Sequence, residues 1–414
     1  MADAAFPDVQ YQLTRVYRNR NYIADLSFGQ DAFLGMLKKR KYVTVGGQAD
    51  VVPVSFDGSG VPSNVDGVSG TAAPSQGVQF LVTPAVMTNL MGISALAASS
   101  GAASVGTIVK PLKREIDQAI RKVSKVAAIE IWSDGFPSIG TIPTAGASTT
   151  LTLGDPDDVV KFSIGDILVF AGARTTGALR AGSLTVTKVN QNAGTLVVNA
   201  NTNTVATSGD FIFIANTRNT GATKIGITGV QGWLPSAGSA SFFGVDTTVD
   251  DRLIGMQLTA SASDIEAAFV DGIAKTLIYS ANGAKDLTAF MHPSVWATLS
   301  KALQSKTMFA ISPTEKKGRQ GSFLYSGWTV TTPNGTIDVF TPQFCPKAKI
   351  FMLNMDTWEL VGWGIEFPSV IGGAIGGGPP IFMDPATGLI RAMVGGFPQL
   401  ECNAPGYNLT ITLS

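Results

Sequence analysis

The chain has 414 residues, of which 45% are apolar, and its mean hydropathy of +0.22 is enough to build substantial hydrophobic cores. Thirty basic and thirty acidic side chains cancel, which disfavours a main role in binding nucleic acid or an anionic membrane surface. The two cysteines, Cys345 and Cys402, are too few for a disulfide framework or a zinc cluster, so we expect a protein made in a reducing cytoplasm.

The N-terminal region, residues 1–41, predicts an arm followed by a short helix. Residues 1–29 carry aromatic and basic side chains without a period long enough to fold alone. Residues 30–40 predict a helix. Its apolar face comprises Phe33, Leu34 and Leu37. We expect the basic run 38–41 to be a solvated helix end, favoured by the helix dipole, or a contact with another subunit, rather than a site for nucleic acid or acidic lipid.

Two strand-like runs, at 42–54 and 78–83, predict a long hairpin, the extended loop of residues 42–85. Its central 22 residues, 56–77, are turn formers almost throughout, with one phenylalanine and three valines. Ordering them costs on the order of 20 to 40 kcal/mol of backbone entropy, which so few apolar side chains do not offset. We therefore expect this segment either to stay free or to dock on another subunit.

Residues 81–109 are uncharged, but Ser, Thr, Asn, Gly and Pro dilute their hydrophobicity, so we expect no membrane span there. Residues 110–134 follow with ten charged side chains and with apolar residues at helical spacing. This pattern predicts one long helix, about 107–134, within a region that spans 86–144. A proline suits its first turn, a Gly-x-Pro sequence ends it, and the 25 residues from 110 to 134 correspond to a rod of roughly 37 Å.

Residues 150–215 change to short strand-like runs separated by turn formers. The runs are TLTL, DVVKFS, DILVFAG, SLTVTKV, TLVVNA and DFIFIAN. Five or six short antiparallel strands in about 65 residues predict a small closed barrel or sandwich, inserted over residues 145–225. Asp155, Asp157 and Asp158 could bind a cation, but a turn entering the barrel explains them equally well, and the EF-hand spacing is absent.

The rest of the chain predicts a mixed α and β region over 226–385 and closing strands over 386–414. Helices are predicted at 263–282 and after Pro293. The runs WTVTT and TIDVF predict a hairpin that turns at residues 333–335, and KIFMLNM and WELVGWG predict further strands.

Residues that could carry catalysis are few. His292 is the sole histidine, and its place before Pro293 favours a structural role at a helix start over that of a catalytic base. The chain has no Gly-x-Ser-x-Gly sequence, and neither cysteine has neighbours that mark an activated thiolate, so both are expected to be buried or half-buried. We therefore assign no catalytic, cofactor-binding or metal site.

The glycine-rich loop 371–380 also has a structural interpretation. It lacks the Gly-Lys-Ser/Thr sequence of a phosphate-binding loop, and two prolines, at 379 and 380, forbid the helix whose first turn would hold phosphate. Its glycines are residues 372, 373, 376, 377 and 378. A flexible or tightly turning loop is expected.

The order of these parts resembles the major capsid proteins of tailed bacteriophages, which have the Hong Kong 97-like fold. The segments that carry the resemblance are REIDQAIRKVSKVAAIEIWSDG, LTAFMHPSVWATL, KIFMLNMDTWEL and PQLECNAPGYNLTITL. It covers the chain except the insertion. The resemblance implies an α+β fold with an N-terminal arm, an extended loop lying on a neighbour, a long spine helix, an axial domain whose glycine loop approaches the capsomer axis, and an inserted small β-barrel.

The resemblance also implies a function. The chain would be a structural protein, not an enzyme, that assembles in the host cytoplasm into pentamers and hexamers of an icosahedral virion shell. The shell would enclose double-stranded DNA without sequence-specific binding and without a membrane or a cofactor. Portal, scaffolding and decoration proteins are the implied partners, although an arm that begins almost at Met1 favours a separate scaffolding protein or none.

Three other functions are weighed against this one. An encapsulin-like compartment would use the same fold to hold enzyme cargo. A phage tail or adhesion protein would suit the β-rich, Gly/Ser/Thr-rich stretches but predicts repeats, which are not evident. An enzyme with an unrecognised site, such as a carboxylate-based glycosidase, would need paired acids that the sequence does not place together.

Overall fold

The computed structural model describes residues 31–42, 49–57, 64, 70, 74–94, 111–176, 178–217, 224–280, 287–304, 328–332, 335–363, 367–371, 381–383 and 389–414. The predicted arm, the glycines at 372–378 and most of the predicted hairpin connection lie outside the described residues.

The helices and strands of the described residues form several sheets with a small number of helices. The α-helices are α1 Ala32–Met36, α2 Pro111–Glu130, α3 Val230–Trp233, α4 Ile265–Tyr279 and α5 Pro293–Gln304. The β-strands are β1 Lys38–Tyr42, β2 Asp50–Asp57, β3 Gln76–Val82, β4 Met87–Ser94, β5 Gly140–Thr141, β6 Thr150–Thr152, β7 Ile167–Ala171, β8 Leu184–Asn190, β9 Thr195–Val198, β10 Phe211–Ile214, β11 Met256–Ala260, β12 Leu287–Met291, β13 Trp328–Thr332, β14 Gly335–Phe340, β15 Lys349–Asn354, β16 Trp358–Trp363, β17 Ser369–Ile371, β18 Ile381–Met383, β19 Leu389–Gly396, β20 Pro398–Cys402 and β21 Leu409–Leu413.

A central six-stranded sheet has the order β11-β21-β15-β12-β14-β13. Strand β15 is buried on both faces, as its continuous apolar sequence predicts. Ile350 and Met352 pack in one core with helices α4 and α5, whereas Phe351 and Leu353 pack in a second core on the opposite face. The predicted helices at 263–282 and after Pro293 and the predicted strands of this region are confirmed.

The second core contains an aromatic cluster that joins distant parts of the chain. The ring centroids of Phe33 and Trp132 lie 4.6 Å apart, and those of Phe33 and Phe290 lie 5.0 Å apart. Trp132 also lies 5.5 Å from Phe351. Helix α1 is held at this point because Asp31 Oδ1 accepts hydrogen bonds from the first-turn backbone N–H groups of Phe33 and Leu34.

The predicted long helix is α2, which packs on the sheet formed by β4 and β19. Ala119, Val123 and Ala127 are buried along it. Its 20 described residues correspond to about 30 Å, and the helix ends at Glu130 rather than at 134. The predicted start at 107–110 lies outside the described residues. The backbone turns after Glu130, the Ile131 carbonyl accepts a hydrogen bond from Val230 N–H (2.8 Å), and the next side chain, Trp132, enters the aromatic cluster. No helix of the described residues is long and apolar enough to cross a membrane.

The inserted region is a six-stranded antiparallel sheet with the order β5-β10-β7-β8-β9-β6. Its edge regions approach each other where Gly154 N–H donates to the Thr141 carbonyl (2.9 Å). The prediction of a strand at DVVKFS is wrong, since Pro156–Lys161 is a 3₁₀-helix. Asp155 caps this helix by accepting from Asp157 N–H, and a proline in the first turn favours a helical start.

The prediction that residues 38–41 form a helix end is also wrong. Helix α1 stops at Met36, and the basic run is strand β1, which pairs in parallel with β16. Carboxylates of neighbouring segments pair with this run, in the contacts Lys38–Asp356 and Arg40–Glu359. The three apolar residues predicted on one face of α1 are buried as expected.

The predicted hairpin strands are β2 and β3, which pair antiparallel. Strand β4 was not predicted, because Thr, Asn and Gly interrupt its apolar residues. It pairs with β19 along its whole length, Met87 opposite Gly396 and Ser94 opposite Leu389.

Candidate interaction surfaces

The root of the β2–β3 hairpin is fixed to its own chain. Phe80 is fully buried, with its ring centroid 5.3 Å from that of Trp233 and 6.0 Å from that of Phe242. Leu81 N–H donates to the Phe243 carbonyl (2.8 Å). The expectation that residues 56–77 stay free or dock on another subunit concerns residues that lie mostly outside the described part of the chain. The root of the hairpin is attached to its own chain, because Phe80 and Val82 are buried in its core.

The opposite face of this root carries an exposed apolar pair, the hairpin patch. Val51 and Leu81 are direct cross-strand partners, and they are 46% and 48% exposed. Cross-strand apolar pairs stabilise a sheet when a further layer covers them. The patch is thus a surface suited to contact with another molecule.

A second exposed pair, the sheet patch, lies on the β4–β19 sheet. Leu90 and Met393 are direct partners, 50% and 37% exposed, whereas Met91 and Val394, on the face toward α2, are buried. Alternation of this kind is typical of a sheet with one covered and one open face.

Helix α4 carries a third apolar surface, the helix stripe. Val270 and Ile278 are 59% and 71% exposed, and Ala267 and Ala274 on the same side are exposed too. Because Ile265, Phe269 and Ile273 on the inner side are buried, the helix is apolar on both sides. Helices of this kind are normally covered on both sides.

A charged cluster lies where the hairpin meets the three-stranded sheet β1-β16-β20. Arg40 donates through Nε to Glu359 (3.0 Å) and through Nη2 to Asp50 (2.6 Å) and Glu401 (2.8 Å). Burial raises the pKa of Glu401 to about 7, the nearby Asp50 carboxylate adds to the rise, and Arg40 opposes it. We call these four residues the Arg40 cluster.

The insertion is bound to three other segments of the chain by charged contacts. Lys122 of α2 pairs with the buried Asp166 (2.6 Å). Asp134, after α2, accepts two hydrogen bonds from the Arg174 guanidinium (3.0 and 2.6 Å). Lys347, before β15, pairs at 2.6 Å with both Asp155 and Asp157. A planar two-point contact such as that of Arg174 fixes orientation as well as distance.

A cleft of about 980 Å³ lies between α2 and residues 83–90. Glu130 on its wall is buried, accepts a hydrogen bond from Ile227 N–H (2.9 Å), and has its pKa raised to about 7 by burial. Burial lowers the pKa of Lys224, also on this wall, whose Nζ lies 5.5 Å from the Phe242 ring centroid. The wall of the cleft thus carries an acid and a base whose pKa values burial shifts toward the neutral form.

Of the residues singled out in the sequence, His292 lies near Asp155 and Asp157; burial and Lys347 lower its pKa, and the two carboxylates oppose this. His292 Nδ1 is 2.7 Å from the Ser294 hydroxyl and 3.2 Å from Ser294 N, which confirms its place at the start of α5. Cys345 and Cys402 are buried free thiols as expected, and burial raises the pKa of Cys402 to about 12. In the described parts of the chain, His, Cys, Asp and Glu form no group of three or more that could hold a metal ion.

Sequence reasoning missed the Arg40 cluster and Glu130. A usable signal was present, because Glu130 and Glu359 each interrupt an otherwise apolar run, IEIW or WELVGW, and Glu401 lies between Leu400 and Cys402. A carboxylate at a buried position requires a partner or a proton.

The sequence matches no protein-family model and no curated protein. Solved structures do resemble it. A chain of the cyanophage A-1(L) capsid superimposes with a TM-score of 0.56 at 11% identity, over 96% of both chains. A chain of the capsid of a native GTA particle gives 0.46 at 10% identity, over 96% of this chain and 95% of that one. A chain of the mature capsid of bacteriophage PhiM1 gives 0.44 at 8%, over 97% and 91%.

Of these three, the cyanophage chain has the highest TM-score, and at 11% identity its similarity establishes the fold alone. It extends over nearly the whole of both chains, so it is not a match to one common substructure. The chain therefore has the fold of phage capsid proteins, a mixed α+β architecture with several sheets and few helices.

Proposed function

We propose that this chain is the major capsid protein of a tailed phage and that it self-assembles into the icosahedral shell around the double-stranded DNA genome. The observation that carries the proposal is the similarity to the cyanophage capsid chain over 96% of both chains. Three exposed apolar surfaces, the hairpin patch, the sheet patch and the helix stripe, support it, since a shell subunit must contact neighbours on several sides.

In this proposal the parts have Hong Kong 97-like roles. Helix α2 is the spine helix, and the sheet of β4 and β19 belongs with it in the peripheral domain. The central sheet with α4 and α5 is the axial domain, with the glycine loop toward the capsomer axis. The hairpin of β2 and β3 is the extended loop, and beyond its anchored root it lies on a neighbouring subunit.

The insertion is proposed to face outward, as decoration or as a brace between capsomers. Its contacts with α2 and with Lys347 would hold it at a fixed angle. The net charge of zero suits a container, because strong attraction to phosphate would hinder the packing and release of DNA. Pentamers, hexamers, and portal, scaffolding and decoration proteins are part of the same proposal.

The function is tested by isolating particles from cells that express the chain with its genomic neighbours. The proposal expects large particles in which DNA is protected from nuclease. Particles that contain a folded enzyme and no DNA would instead support the encapsulin-like alternative, and recovery of only small oligomers would contradict both.

A further inference from the structure

The Arg40 cluster contains two carboxylates in an unusual position. Glu359 and Glu401 are direct partners on the neighbouring strands β16 and β20. Like charges directly opposite each other destabilise a sheet. Arg40 contacts both of them and Asp50 as well, so one guanidinium serves three carboxylates.

Glu401 is the most deeply buried of these acids, with 1% of its surface exposed. Its Oε2 accepts from Arg40, but its Oε1 has no hydrogen-bond partner among the described residues. A charged oxygen left in this condition carries a large desolvation penalty, and the penalty for a protonated carboxyl is smaller. A proton on Glu401 would also remove its repulsion with Glu359.

We propose that Glu359 and Glu401 form a proton-binding site that fastens the first residue of the hairpin strand β2 to the sheet through Arg40. That residue is Asp50, whose Oδ2 shares Arg40 Nη2 with Glu401. When Glu401 loses its proton, its new charge competes with Asp50 for Nη2 and repels it. The start of β2 then loosens, while Phe80 keeps β3 in place.

The charges around the site set the pH range over which Glu401 loses its proton. Burial, Asp50 and Glu359 raise the pKa of Glu401 to about 7, against the opposing effect of Arg40 on β1. Lys38, further along β1, is engaged by Asp356 (2.7 Å). Because the pKa is raised in the fastened state, the fastening is complete at acidic pH and is lost as pH rises toward 7. This inference does not depend on the proposed shell.

Hydrogen exchange of the unassembled full chain tests the site. The exchange rates of the backbone amides of residues 50–54, corrected for the intrinsic pH dependence of exchange, give the equilibrium constant for opening of this segment. This constant should increase about tenfold or more between roughly pH 5.5 and pH 7.5. The infrared C=O stretch of protonated carboxyls should weaken over the same range; because Glu130 also has a pKa of about 7, the part of this change that is absent in Glu401→Gln is the signal of Glu401. In Glu401→Gln, which cannot ionise, the opening should be small and equal at both pH values.

Two further variants separate this site from general effects of pH. Glu359→Gln removes the carboxylate opposite Glu401, which raises the pKa of Glu401. The increase in opening of residues 50–54 should therefore occur at lower pH in this variant. Glu130→Gln removes another buried carboxyl, far along the sequence, and should leave the rise unchanged. Unchanged opening in the wild type, or a rise that persists in Glu401→Gln, overturns the proposal. If Glu401→Gln does not fold, the proposal is overturned when opening of residues 50–54 depends on pH in Glu359→Gln just as it does in the wild type.

Discussion

Val51 and Leu81 lie directly opposite each other across β2 and β3, and each exposes almost half of its surface, although Phe80, next to Leu81 in sequence, is fully buried. The same ribbon therefore has one face anchored in its own subunit and one face open. A ribbon with this asymmetry suits a position between two subunits, because each face meets a different apolar layer.

Replacing Leu81 by Lys tests the open face. A charge at this exposed position should change the stability of the isolated subunit by less than about 1 kcal/mol, but it should reduce particle yield strongly if the patch meets a neighbour. The control is Val249→Lys, at an equally apolar site that is 65% exposed outside the three surfaces. Sedimentation of both variants gives the yield, and equal yields would argue against the hairpin patch as an interface.

Replacing Phe80 by Ala tests the anchored face. The loss of a fully buried ring between Trp233 and Phe242 should lower the free energy of unfolding by about 3 to 5 kcal/mol. Leu81→Ala, one residue away on the open face, serves as the matched control and should cost far less. Denaturant unfolding of the unassembled subunit measures both; similar costs would mean that the root is not packed as described.

Glu130→Gln tests the pH dependence of stability. The pKa of Glu130 rises from 4.5 to about 7 on folding, so its contribution is fully present below pH 4.5 and is lost as pH rises through 7. The loss is about 3 kcal/mol. Gln keeps an acceptor for Ile227 N–H but cannot ionise, so the variant should lose less stability than the wild type between these pH values. Identical pH profiles of unfolding would contradict the burial of this carboxyl.

Removing the insertion tests its attachment. Ile142 N–H donates to the Asp210 carbonyl (2.9 Å), so residues 143–209 can be replaced by Asn-Gly, a two-residue hairpin loop. We expect a folded subunit with a lower melting temperature, because Lys122, Asp134 and Lys347 lose their partners. Lys347→Met removes only one of these attachments and should have a smaller effect. An unchanged melting temperature in the deletion would show that the insertion does not stabilise its own subunit.

Local patterns in the sequence predicted most of the elements but not their charged contacts. The long helix, helices α4 and α5 and the strands around Phe351 were predictable because their apolar residues recur at regular spacing. The helix end was misplaced because Trp132 continues the helical pattern yet packs in an aromatic cluster formed by distant residues. Tertiary packing of this kind leaves no local signal.

The basic run at 38–41 shows the same limit for the candidate site. Its composition favours a solvated helix end, whereas the run forms a strand that pairs with β16, more than 300 residues away. The acidic residues within apolar runs were visible, but their common partner, Arg40, was not. Likewise, a single sequence gives no indication that Leu90 and Met393 are neighbours.

Electron microscopy of the purified chain, alone and with its genomic neighbours, shows whether it assembles. We expect closed polyhedral shells built of pentamers and hexamers, with the hairpin of each subunit lying on an adjacent one. A homogeneous monomer under every condition, with the hairpin folded entirely onto its own subunit, would contradict this expectation.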